Sequence, residues 1–355
     1  MVRVTGNFQS ETALNSLAAQ ALHAALDSGW ADPKKIGQSP SRAANLRNSA
    51  LESIAENLGI KADQIEITGE VGLGYFLSLG GFLTPERKLF YGAGDRSGVI
   101  ATARSHQGSS QIIPLAPNGT LNLSEVTFTP NSVLSFQLAN GETGAINKLP
   151  PQLPEGLLIA VDATASGNRQ PLPEKWSSAV FDSRSWEGPA GLAVVAIADA
   201  ANWKNPLPHI SAVRRTYGTF SLPLLIASAV ALENFAPDDE NIRAMNAKLR
   251  LDVSRAIPNA RVAGDLDIST PQLISLIFPG CNGEEILRGL SARGISVDSG
   301  SACTAMNLQP SHVLAAMGLH TDGNIRITLH AETTAEEVEL LTNALVDEVR
   351  SQQQR

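Results

Sequence analysis

The sequence predicts an α/β fold, with a large domain built on a mainly parallel sheet between helices and a smaller C-terminal α/β domain after it. Three observations carry this expectation. The apolar runs at 132–138, 156–162, 178–182 and 193–198 are mostly continuous rather than alternating, as strands buried on both faces of a parallel sheet require. Helical and strand patterns alternate up to about Phe235. Ala236-Pro237-Asp238-Asp239 then breaks the pattern, which divides the chain into 1–235 and 236–355, the N-terminal segment being able to pack on the smaller unit.

The elements follow in order. A first helix covers roughly Thr12 to Asp27. Ser39-Pro40 opens a second, with Ser39 as its cap and proline in the first turn; its apolar face is Leu46, Ala50, Ile54 and Leu58, and Gly59 ends it. A short strand, Gln64 to Thr68, leads into a glycine-rich turn and an apolar helical stretch. Beyond the break come a helix (Asn241 to Arg255), a strand (Gln272 to Phe278), a helix (Glu284 to Arg293) and a Gly/Ser loop. The last helix opens at Thr333 or Thr334, each with a glutamate three residues on, and buries Val338, Leu341, Leu345 and Val349.

Composition narrows the function. A formal charge of −8 argues against non-specific nucleic-acid or anionic-membrane binding as the main activity. Met1 to Gly6 lacks the apolar run of a signal peptide, and the apolar stretch Phe220 to Leu232 is too short to span a bilayer and contains Pro223. The expectation is a soluble cytoplasmic protein. Two cysteines, Cys281 and Cys303, without a CxxC pattern, support neither a disulfide framework nor a zinc site, and the six histidines show no metal-ligand spacing. Cys281 reads as a small buried hydrophobe.

The most informative stretch is Val297-Asp298-Ser299-Gly300-Ser301-Ala302-Cys303-Thr304, followed by Gln309-Pro310-Ser311-His312-Val313-Leu314 and Met317-Gly318-Leu319. A cysteine on a loop of glycine and serine has an accessible thiol and room to swing, which suits a nucleophile that must carry an atom elsewhere. Here the chain resembles the cysteine desulfurases related to NifS and IscS, whose catalytic loop carries SGSAC and the same downstream helix. Further matches are Gly29-Trp30-Ala31-Asp32-Pro33, Asp63 to Thr68, Val161-Asp162-Ala163-Thr164, Gly188-Pro189-Ala190-Gly191 and Asn324-Ile325-Arg326-Ile327-Thr328.

The resemblance implies the class V aminotransferase fold (pyridoxal-phosphate-dependent fold type I), a seven-stranded sheet, and a dimer with its site at the subunit boundary. It makes Cys303 the persulfide cysteine and Asp162 the carboxylate under the cofactor's pyridine nitrogen. Arg326 becomes the arginine gripping the substrate carboxylate, and Asn140 one of two substrate-binding asparagines. Several family residues are replaced. Ser185 stands at the Schiff-base lysine, Arg184 at the histidine before it and Val71 at the phosphate-binding threonine, beside Glu70. Arg96 falls at the stacking histidine, Gly141 at the second asparagine and Ala165 at a glutamine. A serine can neither tether pyridoxal phosphate as an imine nor move the substrate's proton. Six changed contacts predict a site no longer used for that cofactor.

Asp162 then needs a partner, because an unpaired buried carboxylate costs several kcal/mol. Either Arg184 turns into the vacated space to meet it, or Asp162 caps a turn. For Arg326 an ion pair within the small domain stands beside ligand binding. Three functions are expected from these residues. One is a degenerate desulfurase homologue that keeps the persulfide loop as sulfur acceptor or relay, or as a regulatory partner in iron–sulfur assembly. The second is a non-catalytic subunit paired with an active desulfurase. The third is an active pyridoxal-phosphate-dependent desulfurase with an atypical site. The partners implied are a second copy or a related desulfurase, and a sulfur-acceptor protein.

Overall fold

The computed structural model describes residues 6–28, 30–207, 220–299 and 310–354. The chain runs β1 (Asn7–Phe8), α1 (Ser16–Ser28), α2 (Gln38–Leu58), β2 (Ile65–Thr68), α3 (Val71–Gly80), β3 (Leu89–Gly92), α4 (Ser97–Ser105), β4 (Ser110–Ile113), β5 (Val133–Gln137), β6 (Leu158–Asp162), β7 (Ser178–Asp182), β8 (Ala193–Ile197) and α5 (Leu222–Glu233). It continues with α6 (Asp239–Ala256), β9 (Arg261–Ala263), β10 (Leu273–Ile277), α7 (Gly283–Ala292), β11 (Ser296–Val297), α8 (His312–Ala316), β12 (Asn324–Thr328) and α9 (Ala335–Gln353).

Seven strands form one sheet in the order β2-β8-β7-β6-β5-β3-β4. Pairs from β7 through β4 are parallel, and β8 runs antiparallel to both β7 and β2. Every residue of β5, β6, β7 and β8 is buried, which is why these strands read as continuous apolar runs. On one side α1 and α2 pack against α5. On the other, α3 lies against β6, β7 and β8, and it comes so close that a Cβ at Gly74 would be 2.9 Å from Val180.

Beyond Asp238 a second apolar cluster gathers Leu249, Leu276, Ile325, Leu341 and Leu345 around the antiparallel sheet β12-β10-β9. Phe8 joins that cluster, because β1 pairs in parallel with β11. The N-terminal segment therefore packs on the C-terminal part of the chain.

Two helix starts differ from the sequence reading. Asn15 caps α1, its Oδ1 accepting from Ala18 N at 2.8 Å, so the helix begins after Asn15 rather than at Thr12. Ser39 does not cap α2; it lies inside the first turn, and the cap is Gly37 at φ 145°, a value open to glycine. At the other end Gly59 (φ 67°) closes α2 in the left-handed conformation. Thr334, not Thr333, caps α9, in a reciprocal pair with Glu337. Among the described residues no helix is long and apolar enough to cross a membrane, and no group of three or more His, Cys, Asp or Glu is placed to hold a metal.

Candidate functional site

A cleft of about 460 Å³ opens at the carboxyl ends of β6 and β7, where ligands of open parallel sheets bind. The N-terminal ends of α3 and α4 and the turn 141–142 form its large-domain wall. Residues 326–330 and the segment Ser10-Glu11 close the opposite side.

The N-terminus of α3 supplies the backbone N–H groups that hold a phosphate in many folds. Here Glu70 caps it, with Oε2 accepting from Leu73 N at 2.7 Å. That same oxygen would be 2.7 Å from a Cβ at Gly72, so the carboxylate lies folded over the helix start. Thr68 turns away and donates to Glu70 O at 3.0 Å, and Val71, lining the cleft, offers no hydroxyl. A bound phosphate would have to displace this carboxylate or sit against it. Two like charges about 4 Å apart repel by roughly 1–4 kcal/mol between bulk water and a protein surface.

Arg96, the residue before α4, reaches across the cleft floor. Its guanidinium lies on Gly141: a Cβ there would collide with Nη2 and Cζ of Arg96. Positions 96 and 141 are thus coupled, since the missing side chain at 141 makes the seat for the arginine. Burial works against the charge on Arg96, but Tyr75, Asp162 and Asp182 outweigh it and hold its pKa above the ordinary value. Tyr75 is itself pushed upward, by burial first and then by Asp162, and its hydroxyl is 2.8 Å from Thr164 Oγ1.

Arg184 does not pair with Asp162. Its guanidinium forks onto Asp182, with Nη2–Oδ2 at 2.7 Å and Nε–Oδ2 at 3.0 Å, and Nη1 reaches Glu11 at 2.8 Å. The hydrogen bond to Asp182 raises its pKa. The pairing expected with Asp162 fails for a geometric reason: Asp182 also accepts from Arg184 N at 3.0 Å, so the short turn 183–186 folds the side chain back onto its own cap. Asp162 instead caps a turn, Oδ1 accepting from Thr164 N at 2.9 Å and Thr164 Oγ1 at 2.7 Å.

Ser185 lines the cleft in the same turn, and its hydroxyl donates to Asp182 O at 2.7 Å. Asn140 is not brought to the cleft. It is buried, Oδ1 accepting from Glu142 N and Thr143 N and Nδ2 donating to Gln137 Oε1 and Gly94 O, so its amide shapes the turn rather than meeting a ligand. Arg326 does line the cleft, with Nη2 donating to Ser299 O at 3.4 Å. Cys303 lies outside the described residues. Cys281 is buried in the second apolar cluster, and burial raises its pKa.

Sequence reasoning missed several groups. Glu187, at φ 59°, turns to accept from Ala331 N at 2.9 Å, and His330 donates through Nε2 to Gln9 O at 2.9 Å. Burial lowers the His330 pKa. With Ser10 N donating to Asp298 Oδ2 at 2.7 Å and Glu11 on Arg184, the N-terminal segment straps both walls together. Gln272 and Glu142 also face the cleft. Asp298 lies in the 297–304 stretch, but its role and those of the others come from tertiary contacts between distant segments that no motif marks. Arg96 was visible as a departure from the family pattern, but its dependence on Gly141 was not.

The residues present do not fit pyridoxal phosphate. Among the described residues no lysine lines the cleft, the α3 N-terminus carries its own carboxylate, and Arg96 fills the space over Gly141.

Comparison with known proteins agrees with the fold. The family model for aminotransferase class-V matches residues 77–341. The chain is 30% identical over 224 residues to the cysteine desulfurase NifS of Azotobacter vinelandii, covering 59% of this chain and 56% of that protein. A cysteine desulfurase of Nostoc sp. is 30% identical over 62% of this chain and 60% of its own length. The chain thus matches less than two thirds of these relatives' length. A cysteine desulfurase of Frankia sp. is 27% identical over 87% of the chain and 82% of its own. Among solved structures, a NifS-like protein superposes with TM-score 0.84 at 20% identity, covering 96% of this chain and 98% of its own. The E. coli cysteine desulfurase CsdA gives 0.78 at 17%, covering 98% and 95%. The chain belongs to the aminotransferase class-V family, and within it is similar to the NifS-type cysteine desulfurases.

Proposed function

We propose that this chain is a desulfurase-like protein that no longer carries out pyridoxal phosphate chemistry and serves as a sulfur acceptor or relay through Cys303. The observation that carries the first half is the pair Ser185 and Glu70, a serine at the lysine position and a carboxylate on the phosphate-binding helix start. The second half is supported by the sequence Ser299-Gly300-Ser301-Ala302-Cys303. In the step envisaged, the Cys303 thiolate attacks the outer sulfur of a donor persulfide. The donor's S–S bond breaks, its thiolate leaves, and Cys303 becomes the persulfide with no net redox change. The proposal includes a dimer with a second copy or an active desulfurase. It divides the chain at 235/236 and places the protein in the cytoplasm, where thiols stay reduced.

The test is an absorbance spectrum after incubation with pyridoxal phosphate and desalting, followed by mass analysis after treatment with a small persulfide. The expected protein is colourless, stays so with Ser185→Lys because Glu70 and Arg96 remain, and gains one sulfur that Cys303→Ser abolishes. A retained visible band that responds to added cysteine would show a working desulfurase instead.

A further inference from the structure

We propose that a cavity over β5, separate from the cleft, binds a small amphipathic carboxylate, with its hydrocarbon body inside and its head group between Lys148 and Lys175. The inference does not depend on whether the cleft takes a cofactor, because cavity and cleft share no lining residue.

The cavity comes from the way two strand connections are made. β5, β6 and β7 are parallel neighbours, and a crossover between parallel strands is usually a helix that covers the sheet. Here the connections 138–157 and 163–177 contain no helix. Their sequences explain this. Pro150, Pro151 and Pro154 interrupt the first and Pro171 and Pro173 the second, and a proline inside a helix removes a donor and clashes with the preceding turn. Between the two loops a space of about 380 Å³ remains over the end of β5, within the range of small-molecule sites.

Its lining fixes the body of the occupant. Phe136 and Leu138, both buried, form the floor, and Ile146, Leu149, Leu153 and Leu172 stand around them. Asn147 is the buried polar side chain there, and both its ends are used: Oδ1 accepts from Leu121 N and Nδ2 donates to Gln137 O, each at 2.7 Å. Among the described residues no side chain of this cavity leaves a sealed donor or acceptor unsatisfied. A polar group placed at the floor would find no free side-chain partner, so the enclosed part of the occupant is hydrocarbon.

The rim selects the other end. Lys148 stands on the first loop and Lys175 on the second, both exposed, and neither has an ion pair or hydrogen bond among the described residues. Glu174 is the acidic residue beside them, so two cations face one anion in a chain whose net charge is −8. That balance suits one carboxylate and disfavours a dianion. A protein partner is a poorer match. Among the described residues, none of the exposed large hydrophobic side chains lies on either loop, so no apolar surface continues outward from the opening.

Calorimetric titration of the full chain with octanoate, below the concentration at which it self-associates, tests this. Saturable one-to-one binding is expected. Butyrate, with the head but a short body, and 1-octanol, with the body but no charge, should each bind at least about 10-fold more weakly. Lys148→Glu with Lys175→Glu should weaken octanoate binding by about 10-fold or more and leave the melting temperature in place, because both side chains are exposed. Leu172→Trp, which narrows the cavity, should give a similar loss. Absence of saturable binding, equal affinity for 1-octanol, or affinity that survives either change overturns the proposal. Octanoate uptake seen only with dissociation of a dimer would make a second copy the occupant and overturns it as well.

Discussion

Replacing Gly141 by alanine tests whether positions 96 and 141 act as one unit. The backbone at Gly141 is not in the left-handed region, so alanine meets no conformational penalty there, and the whole cost is steric. The new Cβ would overlap Nη2 and Cζ of Arg96, so the guanidinium must leave its seat and move into the cleft that it lines. Overpacking of this kind costs about 1–3 kcal/mol. In an Arg96→Ala background the seat is empty, and the same Gly→Ala change should be neutral or stabilise by about 0.4–1 kcal/mol through the unfolded state. Urea denaturation of the four proteins of this cycle should therefore give a coupling energy of about 1–4 kcal/mol. Equal costs in both backgrounds would refute the claim that the arginine rests on the glycine.

Two further outcomes follow from the buried charges. Asp95 is 1% exposed, and burial pushes its pKa up to about 7 against Gly92 N and Ser135 Oγ, which lower it, with Asp162 raising it further. In the unfolded chain it titrates near 3.8, so the folded state holds the extra proton between these values. The associated stability is complete below about pH 4 and is lost as pH rises through about 7, with a slope of at most about 1.4 kcal/mol per unit. Asp95→Asn should flatten that part of the stability–pH curve, and an unchanged slope would remove Asp95 as its source. Arg169 pairs with Asp239 at 3.1 Å and stacks 4.7 Å from the Phe235 ring, so Arg169→Ala should cost about 2–3 kcal/mol in denaturation. A loss below about 0.5 kcal/mol would mean the pair behaves as a surface contact.

Much of the fold was legible because burial writes itself into the sequence. β5, β6, β7 and β8 are buried along their whole length and leave apolar runs that match their observed bounds within two residues. The face of α9 was legible for the same reason; its cap was narrowed to Thr333 or Thr334, and Gly59 was read as the end of α2 from residue type. Helix starts were less so: Asn15 and Ser39 are both acceptable caps by type, and only the path of the chain decides which one caps.

The site divides the same way. From residue identity alone the resemblance placed Ser185 and Val71 at expected cofactor contacts and Gly141 at an expected substrate contact, because which chemical groups a position offers is written in the sequence. It could not determine what the remaining charges do. Arg184 follows β7 and Arg96 follows β3, and the sequence reading left open whether Arg184 meets Asp162 or Asp162 caps a turn. The tertiary structure folds Arg184 onto Asp182 through a local turn and lays Arg96 over Gly141. Which cation enters the cleft depends on backbone direction and free space, quantities set for Arg96 by segments 45 residues apart that the sheet brings together.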